Sequence, residues 1–414
     1  MRSAVDEILA FNRSFDRPSL AIKLVKMSSS AFVFFRGTYH LFMRDIIDGP
    51  YRKWPVARAS GSIVGDLHSE NFGTFRATNG LIVYDVNDFD ETTSAPYEYD
   101  LRRMMTALLL AGLENAHTLG EAMDSSEIYA RAYLAGLTHY GKLKTREDFA
   151  KLKETKQVHS VLALAAERSR ASFMQYLAAE QEPGVFRFLP SEHFAPVSAA
   201  TRKQVLARLP GFLKTCAAPP KSDPTTYHLH DVVFRFAGCG SLGRHRYALL
   251  LGKSNKAPDT FETLRLVEWK DALNSAVKAR RPISSKGRAA DVIRRTAAFQ
   301  LCEKRYLGSV SMDGRSLQAR EIGANDNRFQ HREFTELERF RAAARVFGDI
   351  TARDHLLASL GKPGPRALLK EIHGKEDRFV HKLLSFAVNY TDRTMDDYEE
   401  FLDRRAEIAK AWKA

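Results

Sequence analysis

Residues 62–100 carry the side chains whose types and spacing can do chemistry. The stretch holds Gly65-Asp66-Leu67-His68-Ser69-Glu70-Asn71, then a glycine turn, then Asp85-Val86-Asn87-Asp88-Phe89-Asp90-Glu91. Ile63-Val64 and Leu81-Ile82-Val83-Tyr84 are short β-branched runs bounded by Gly and Asn, which predicts a strand ahead of each acidic segment. Asp66 and Asp88 then fall just past strand ends, with Asn71 in the loop between them. Phosphoryl transfer needs such an assembly: one carboxylate to orient a hydroxyl, and an Asn with a second carboxylate to hold Mg²⁺ on phosphates. The plain role for each residue is a turn or cap, because Asp and Asn are common after strands.

A second set has to be brought to the first by the fold. Gly238-Cys239-Gly240-Ser241-Leu242-Gly243 lies between predicted strands at 232–236 and 247–251, and a third strand at 264–269 runs into Lys270. A dinucleotide-binding G-x-G-x-x-G opens a helix. Here Arg244-His245-Arg246-Tyr247 leads into Ala-Leu-Leu-Leu, which reads as strand. The pattern fits a hairpin whose glycines let the backbone approach phosphate oxygens. Gly238, Gly240, Ser241 and Gly243 are the candidate nucleotide contacts, and Lys270 is placed to pair phosphates. The alternative for Lys270 is an edge-strand lysine with its head in water.

Asp66-Leu67-His68-Ser69-Glu70-Asn71 resembles the catalytic loop of the aminoglycoside phosphotransferase-like branch of the protein-kinase-like superfamily. Asn71 lies five residues after Asp66, as in the kinase loop, where four residues separate Asp from Asn. Asn87-Asp88-Phe89-Asp90-Glu91 resembles that branch's metal-binding segment, and Tyr99-Asp100-Leu101 its following helix start. Together with Ala31-Phe32-Val33-Phe34-Phe35-Arg36-Gly37, these blocks look like the DUF2252 family of bacterial proteins. The resemblance implies ATP and Mg²⁺ as cofactors. Asp66 would be the catalytic base, Asn71, Asp88 and Asp90 the metal ligands, and Lys270 the partner of the α/β-phosphates. Asp85 competes with Asp88, since it lies nearer the usual loop-to-metal spacing. His68 fits a loop-shaping hydrogen-bonder better than a base or ligand. Asp100 would cap its helix or brace the catalytic loop.

In kinases the glycine hairpin and lysine precede the catalytic loop; here they follow it. The residues before Gly65 read helical, with Phe32, Phe35, Tyr39, Phe42 and Ile46 at helical spacing. They cannot supply a nucleotide lobe. The expected fold is therefore α+β: a bilobal protein-kinase-like fold, circularly permuted, with the strand-rich nucleotide lobe inserted between two helical segments. Residues 1–50 form an N-terminal helical segment and 51–215 the helical catalytic lobe. Residues 227–322 form the nucleotide lobe, and 323–414 complete the helical one. Helices are expected throughout 126–215, broken near Glu182-Pro183-Gly184, and the Pro-rich run 215–226 is a connector. Ala352-Arg353-Asp354-His355-Leu356 resembles the helix end that normally precedes the catalytic loop. A helix at 284–303, with Val292, Ile293 and Phe299 inward, should carry an acid for Lys270, and Asp291 and Glu303 are the candidates. Residues 305–322 read as a hairpin turning at Asp313-Gly314. Arg36, a charge within an aromatic run, either pairs with a carboxylate or contacts phosphate.

The chain has 414 residues, 44% apolar and 27% charged, which suits an ordinary globular core. No apolar run is long enough for a transmembrane helix, and the N-terminus lacks a signal-peptide pattern. Cys216, Cys239 and Cys302 are scattered, with neither metal-ligand spacing nor an even set, so a cytoplasmic setting is expected. The formal net charge of +13 favours anionic partners. No nucleic-acid-binding motif accompanies it, so nucleic acid is not the expected partner. Asp66-Leu67-His68 also looks like a metallophosphoesterase motif, but the further elements of a two-metal site are missing. The expectation is an ATP/Mg²⁺-dependent phosphotransferase acting on a hydroxyl or amine of a small molecule or protein. The alternatives are a catalytically inactive nucleotide-binding regulator, or transfer of AMP on the same fold.

Overall fold

The computed structural model describes residues 3–413 apart from 55, 153–155, 218–226, 254–257 and 280. Four helices open the chain: Ala4–Asn12, Arg17–Met27, Ala31–Gly37 and Tyr39–Ile47. Ser3, Asp16 and Ser30 cap the first three with side-chain oxygens, which satisfies backbone donors that a helix start leaves open. Phe32, Phe35, Tyr39, Phe42 and Ile46 are all buried, as their spacing predicts.

Four strands then frame the acidic loops: β1 (Ser60–Ile63), β2 (Phe72–Arg76), β3 (Ile82–Val86) and β4 (Thr93–Pro96). β1 pairs with β4, and β2 with β3, both antiparallel. The helix Glu98–Glu114 follows and is buried along nearly its whole length, including Leu101, Met104, Met105, Leu108 and Leu109. Helices Leu119–Tyr140, Leu337–Leu357 and Glu376–Asp403 pack around it in the largest apolar core.

Strands interrupt the helices expected over 126–215. β5 (Ala178–Glu182) and β6 (Val185–Phe188) form a hairpin across Pro183-Gly184, and β7 (Phe194–Pro196) joins a larger sheet. Turn chemistry explains the hairpin, since Gly184 sits at φ +75°, where glycine is at ease. β7 is decided by a partner edge distant in sequence, which overrides local propensity. The helix Ala199–Thr215 ends at the expected connector, of which 218–226 lie outside the described residues.

The larger sheet adds β8 (Tyr227–Arg235), β9 (Arg246–Lys253), β10 (Arg265–Asp271), β11 (Gly308–Met312) and β12 (Arg315–Glu321). Its antiparallel order is β11-β12-β10-β9-β8-β7. A short β13 (Asn327–Arg328) pairs with β2. The β11–β12 hairpin turns at Asp313 (φ 52°) and Gly314 (φ 69°), as the Asp-Gly pair predicts. One sheet face, with Leu249, Val267, Trp269 and Leu317, packs on Val205, Leu209 and Phe212 of the Ala199–Thr215 helix. On the other face Leu250 and Leu266 pack against Met174 and Phe186. Farther along, that second face turns polar, with Arg246, Glu268, Lys270, Gln318 and Arg320. β10 reads Arg-Leu-Val-Glu-Trp-Lys-Asp, an alternation that sends Trp269 one way and Glu268 and Lys270 the other.

The fold is mixed α+β. Among the described residues no helix is long and apolar enough to cross a membrane. Cys216, Cys239 and Cys302 are free.

Asp100 ties these parts together. Its side chain accepts the backbone N–H of Val64 at 2.7 Å and of Gly65 at 2.9 Å, and lies 3.0 Å from Nε2 of His355 on the Leu337–Leu357 helix. Asp100→Ala leaves two buried backbone donors and Nε2 of the buried His355 without a partner, while His355 Nδ1 keeps Tyr133. The expected loss is about 3–5 kcal/mol, read by urea unfolding; an unchanged midpoint would remove Asp100 from this role.

Candidate active site

Asp66, His68, Asn71, Asp88, Asp90, Gly238, Gly240 and Ser241 line one cleft between the helical part and the large sheet. Gly65, at φ +83°, turns the chain out of β1 into the loop that presents Asp66. A Cβ there would meet Glu91, so the turn needs glycine on both grounds. Asn71 donates its side-chain amide to the Asp66 carbonyl at 2.8 Å, closing the loop on itself. The turn 236–245 between β8 and β9 folds down over this loop. A Cβ on Gly240 would stand 2.9 Å from the Arg36 carbonyl and 3.7 Å from Asp66 Oδ2.

Arg103, on the Glu98–Glu114 helix, holds Asp66 through Oδ1, with Nη2 at 2.7 Å and Nε at 2.9 Å. Oδ2 is left toward the glycine turn. Burial raises the Asp66 carboxyl from 3.8 to about 6, against the opposing pull of Arg103. That places it near neutrality, where a general base works best. Burial, with Arg36 and Arg103 nearby, keeps His68 well below the usual imidazole range, hence neutral. Arg36 Nε lies 3.3 Å from His68 Nε2, and the Arg36 guanidinium pairs with Glu70. Arg36 thus pairs with a carboxylate, the first of its two expected roles, and it also lines the cleft. The hydrogen bond of His68 comes from Arg36, outside its own loop.

The second acidic segment meets the sheet. Lys270 is buried, ion-paired with Asp90 and 3.7 Å from Asp88. Burial pulls Lys270 below its usual value, while Asp88 and Asp90 push back. Burial opposes ionisation of Asp88, but Lys270, Arg320, Arg328 and Arg246 outweigh it and hold the carboxyl well below the usual range. Asp90 also receives Gln318 at 2.5 Å and Arg244 at 3.2 Å. Glu268 is held low as well: burial opposes its ionisation, and Arg246, Arg235 and Arg320 prevail.

Three expectations need correction. Asp85 does not line the cleft; it faces the Leu337–Leu357 helix and pairs with Arg353 at 2.9 Å. Its place inside β3 fixes that direction, whereas Asp88 lies beyond the strand end. Gly243 lies outside the cleft, at φ +96°, where a Cβ would overlap the Phe15 ring. It serves the packing of the turn on the N-terminal helices. Asp291 is engaged by Arg288, Arg294 and Arg295, and the acids at Lys270 are Asp88 and Asp90 instead. In that helix, Arg288–Phe299, Val292 and Phe299 are buried and Ile293 half-buried.

A family described as "Uncharacterized protein conserved in bacteria (DUF2252)" matches residues 16–404. The chain belongs to the DUF2252 family. No curated protein and no solved structure matches it. Sequence reasoning missed several residues of this DUF2252 cleft, notably Glu91, Cys239 and Arg328. It also missed Arg103, Arg246 and Arg320 beside the acids. The usable signal was charge at alternate positions of otherwise apolar strands, as at Glu268 and Lys270. A larger groove of about 730 Å³ lies beyond Gly243, but it carries none of the paired carboxylates of the cleft.

The raised Asp66 carboxyl has a consequence for stability. Between pH 3.8 and about 6 the folded chain keeps a proton that the unfolded chain has lost. Stability therefore falls with rising pH across that window and levels off above it. Urea unfolding at a series of pH values should show wild type losing ground to Asp66→Asn over this window. A pH-independent difference would contradict the assignment.

Proposed function

We propose that this DUF2252 protein is an ATP- and Mg²⁺-dependent phosphotransferase, with a protein-kinase-like architecture in circularly permuted order. The observation that carries the reading is the convergence on one cleft of Asp66, Asn71 and Asp88 with the turn through Gly238, Gly240 and Ser241. These groups come from distant parts of the chain and have the chemistry of acceptor, metal and phosphate contacts. The helix Leu337–Leu357 braces the Asp66 loop through His355 and Asp100. A helix late in the chain thus underpins a loop early in it, which agrees with permutation.

The donor set suits the proposed cofactors. Asn71, Asp88 and Asp90 offer oxygen, and Mg²⁺ takes one or two carboxylates while keeping waters and phosphate oxygens. Nδ1 of His68 is buried in the cleft wall without a hydrogen-bond partner among the described residues. Arg36 and Arg328 line the same cleft. Bound there, Mg²⁺ would neutralise charge on the transferring phosphoryl group. Asp66 Oδ2 would take the proton of the acceptor hydroxyl as its oxygen bonds to the γ-phosphorus and the bond to ADP breaks. Arg103 would keep that carboxylate aimed. Lys270 would move from Asp88 and Asp90 to the phosphates. The cleft measures only about 50 Å³, against about 300–1,000 Å³ for a ligand pocket. The turn 236–245 must therefore lift from Arg36 to admit nucleotide.

A second reading is a nucleotide-binding regulator without transfer activity, favoured by the direct contacts of Lys270 with Asp88 and Asp90. Thermal shift separates the two. ATP with Mg²⁺ should raise the melting temperature of wild type, by about 2.7 kcal/mol of stabilisation at 100-fold excess over Kd. Asp88→Asn should weaken the shift. Asp66→Asn should keep it and lose turnover by about 10²–10⁴-fold. A shift that is indifferent to Mg²⁺ and to Asp88→Asn would favour the regulator, and no shift with any nucleotide would overturn both.

A further inference from the structure

A second constellation lies at the end of the β8–β9 hairpin remote from the glycine turn. His228 and His230 are two residues apart on β8, with His230 at a bulge in the pairing to β9 and Leu229 between them in the apolar core. The two imidazole centroids are 4.3 Å apart. Asp259, in the chain returning from β9, reaches both rings through one oxygen. Its Oδ2 stands 2.9 Å from His230 Nε2 and 3.3 Å from His228 Nε2. Its other oxygen is fixed by the Lys253 N–H at 2.8 Å and the Thr263 hydroxyl at 2.7 Å. Among the described residues this is the group of three such side chains whose ligand atoms all lie within 4.8 Å of one another.

The strand opposite lets these side chains approach closely. Gly252 is the cross-strand partner of His228. A Cβ on Gly252 would clash with Asp259 Oδ2 and His230 Nε2, so glycine here lets the two donors close over the strand. His230 and Asp259 are almost fully buried, whereas the His228 side chain is 46% exposed, which leaves an approach from solvent.

We propose that His228, His230 and Asp259 bind a divalent transition-metal cation of the zinc class. Two imidazole nitrogens and one carboxylate suit that class and disfavour Mg²⁺ or Ca²⁺, which prefer all-oxygen sites. The hydrogen bonds to Asp259 act as the outer support that orients a metal ligand. Binding at His230 Nε2 places the ring proton on Nδ1. The Phe186 N–H, 3.4 Å from Nδ1 and long for a hydrogen bond, then gives up that contact. The cation would clip the turn 258–264 to β8 and β9. It would sit roughly 25 Å along the hairpin from the glycine turn, at about 3.3 Å per residue, and so apart from the proposed Mg²⁺ site.

The test uses the full chain, stripped with a chelator and titrated with Zn²⁺ against a competing chromogenic chelator. Wild type should take up about one equivalent. His228→Ala, at an exposed position, should bind at least 10-fold more weakly, as should Asp259→Asn. His193→Ala, an exposed histidine elsewhere, should bind as wild type does. Zn²⁺ should raise the melting temperature of wild type but not of His228→Ala, and Mg²⁺ should not substitute. Matching melts of the metal-free proteins exclude a folding defect as the cause. No uptake by wild type, or equal uptake by His228→Ala, would overturn the proposal and leave the trio as a His–Asp hydrogen-bonded cluster.

Discussion

The side chain of Asp100 is the constraint on which the rest of the cleft depends. It takes two backbone N–H groups at Val64 and Gly65 and faces His355. Those N–H groups lie just ahead of Asp66, so the clamp sets the direction in which the loop leaves β1. The helix that carries Asp100 also carries Arg103, one turn later. One rigid element therefore positions both the backbone of the loop and its carboxylate. Burial makes this costly to break, because none of the groups has water to fall back on.

The opposite wall works by charge. The polar end of the sheet brings Arg246, Lys270 and Arg320 against Asp88, Asp90 and Glu268. Removing these charges from water is unfavourable, and mutual pairing offsets it. The pairs of Lys270 with Asp88 and Asp90 hold only while the sheet and the acidic loop stay in contact, whereas those of Glu268 with Arg246 and Arg320 lie within the sheet. A phosphate group entering the cleft would offer the cations a new partner, and a divalent cation would do the same for the acids. The network is thus suited to rearrange on binding without exposing unpaired charge.

Much of the fold was legible from local patterns. The N-terminal aromatic face, the hairpin at Asp313-Gly314 and the strand, glycine turn, strand, lysine order all appear where spacing and turn chemistry place them. Asp66, Asn71 and Asp88 do meet Gly238, Gly240 and Ser241. The failures were of more than one kind. β7 was read as helix because its pairing edge lies on a strand beyond the next helix. Asp85 and Gly243 were assigned to the cleft by motif, but a one-residue change along a strand or turn reverses the direction of a side chain.

The sequence by itself determined which residues have the chemistry that the proposed phosphate and metal site calls for, and which short segments form the strands and turns that carry them. These depend on side-chain period and backbone preference, which act over a few residues. Only the tertiary structure decided which acid meets Lys270, which arginine holds Asp66, and that His228 and His230 share a point with Asp259. Ion pairing and burial depend on distance in space, and β8, β9, β10 and the acidic loop approach one another only after the chain has folded. The same long-range approach sets the Asp66 carboxyl near 6, since desolvation and Arg103 both act on it through the folded surroundings.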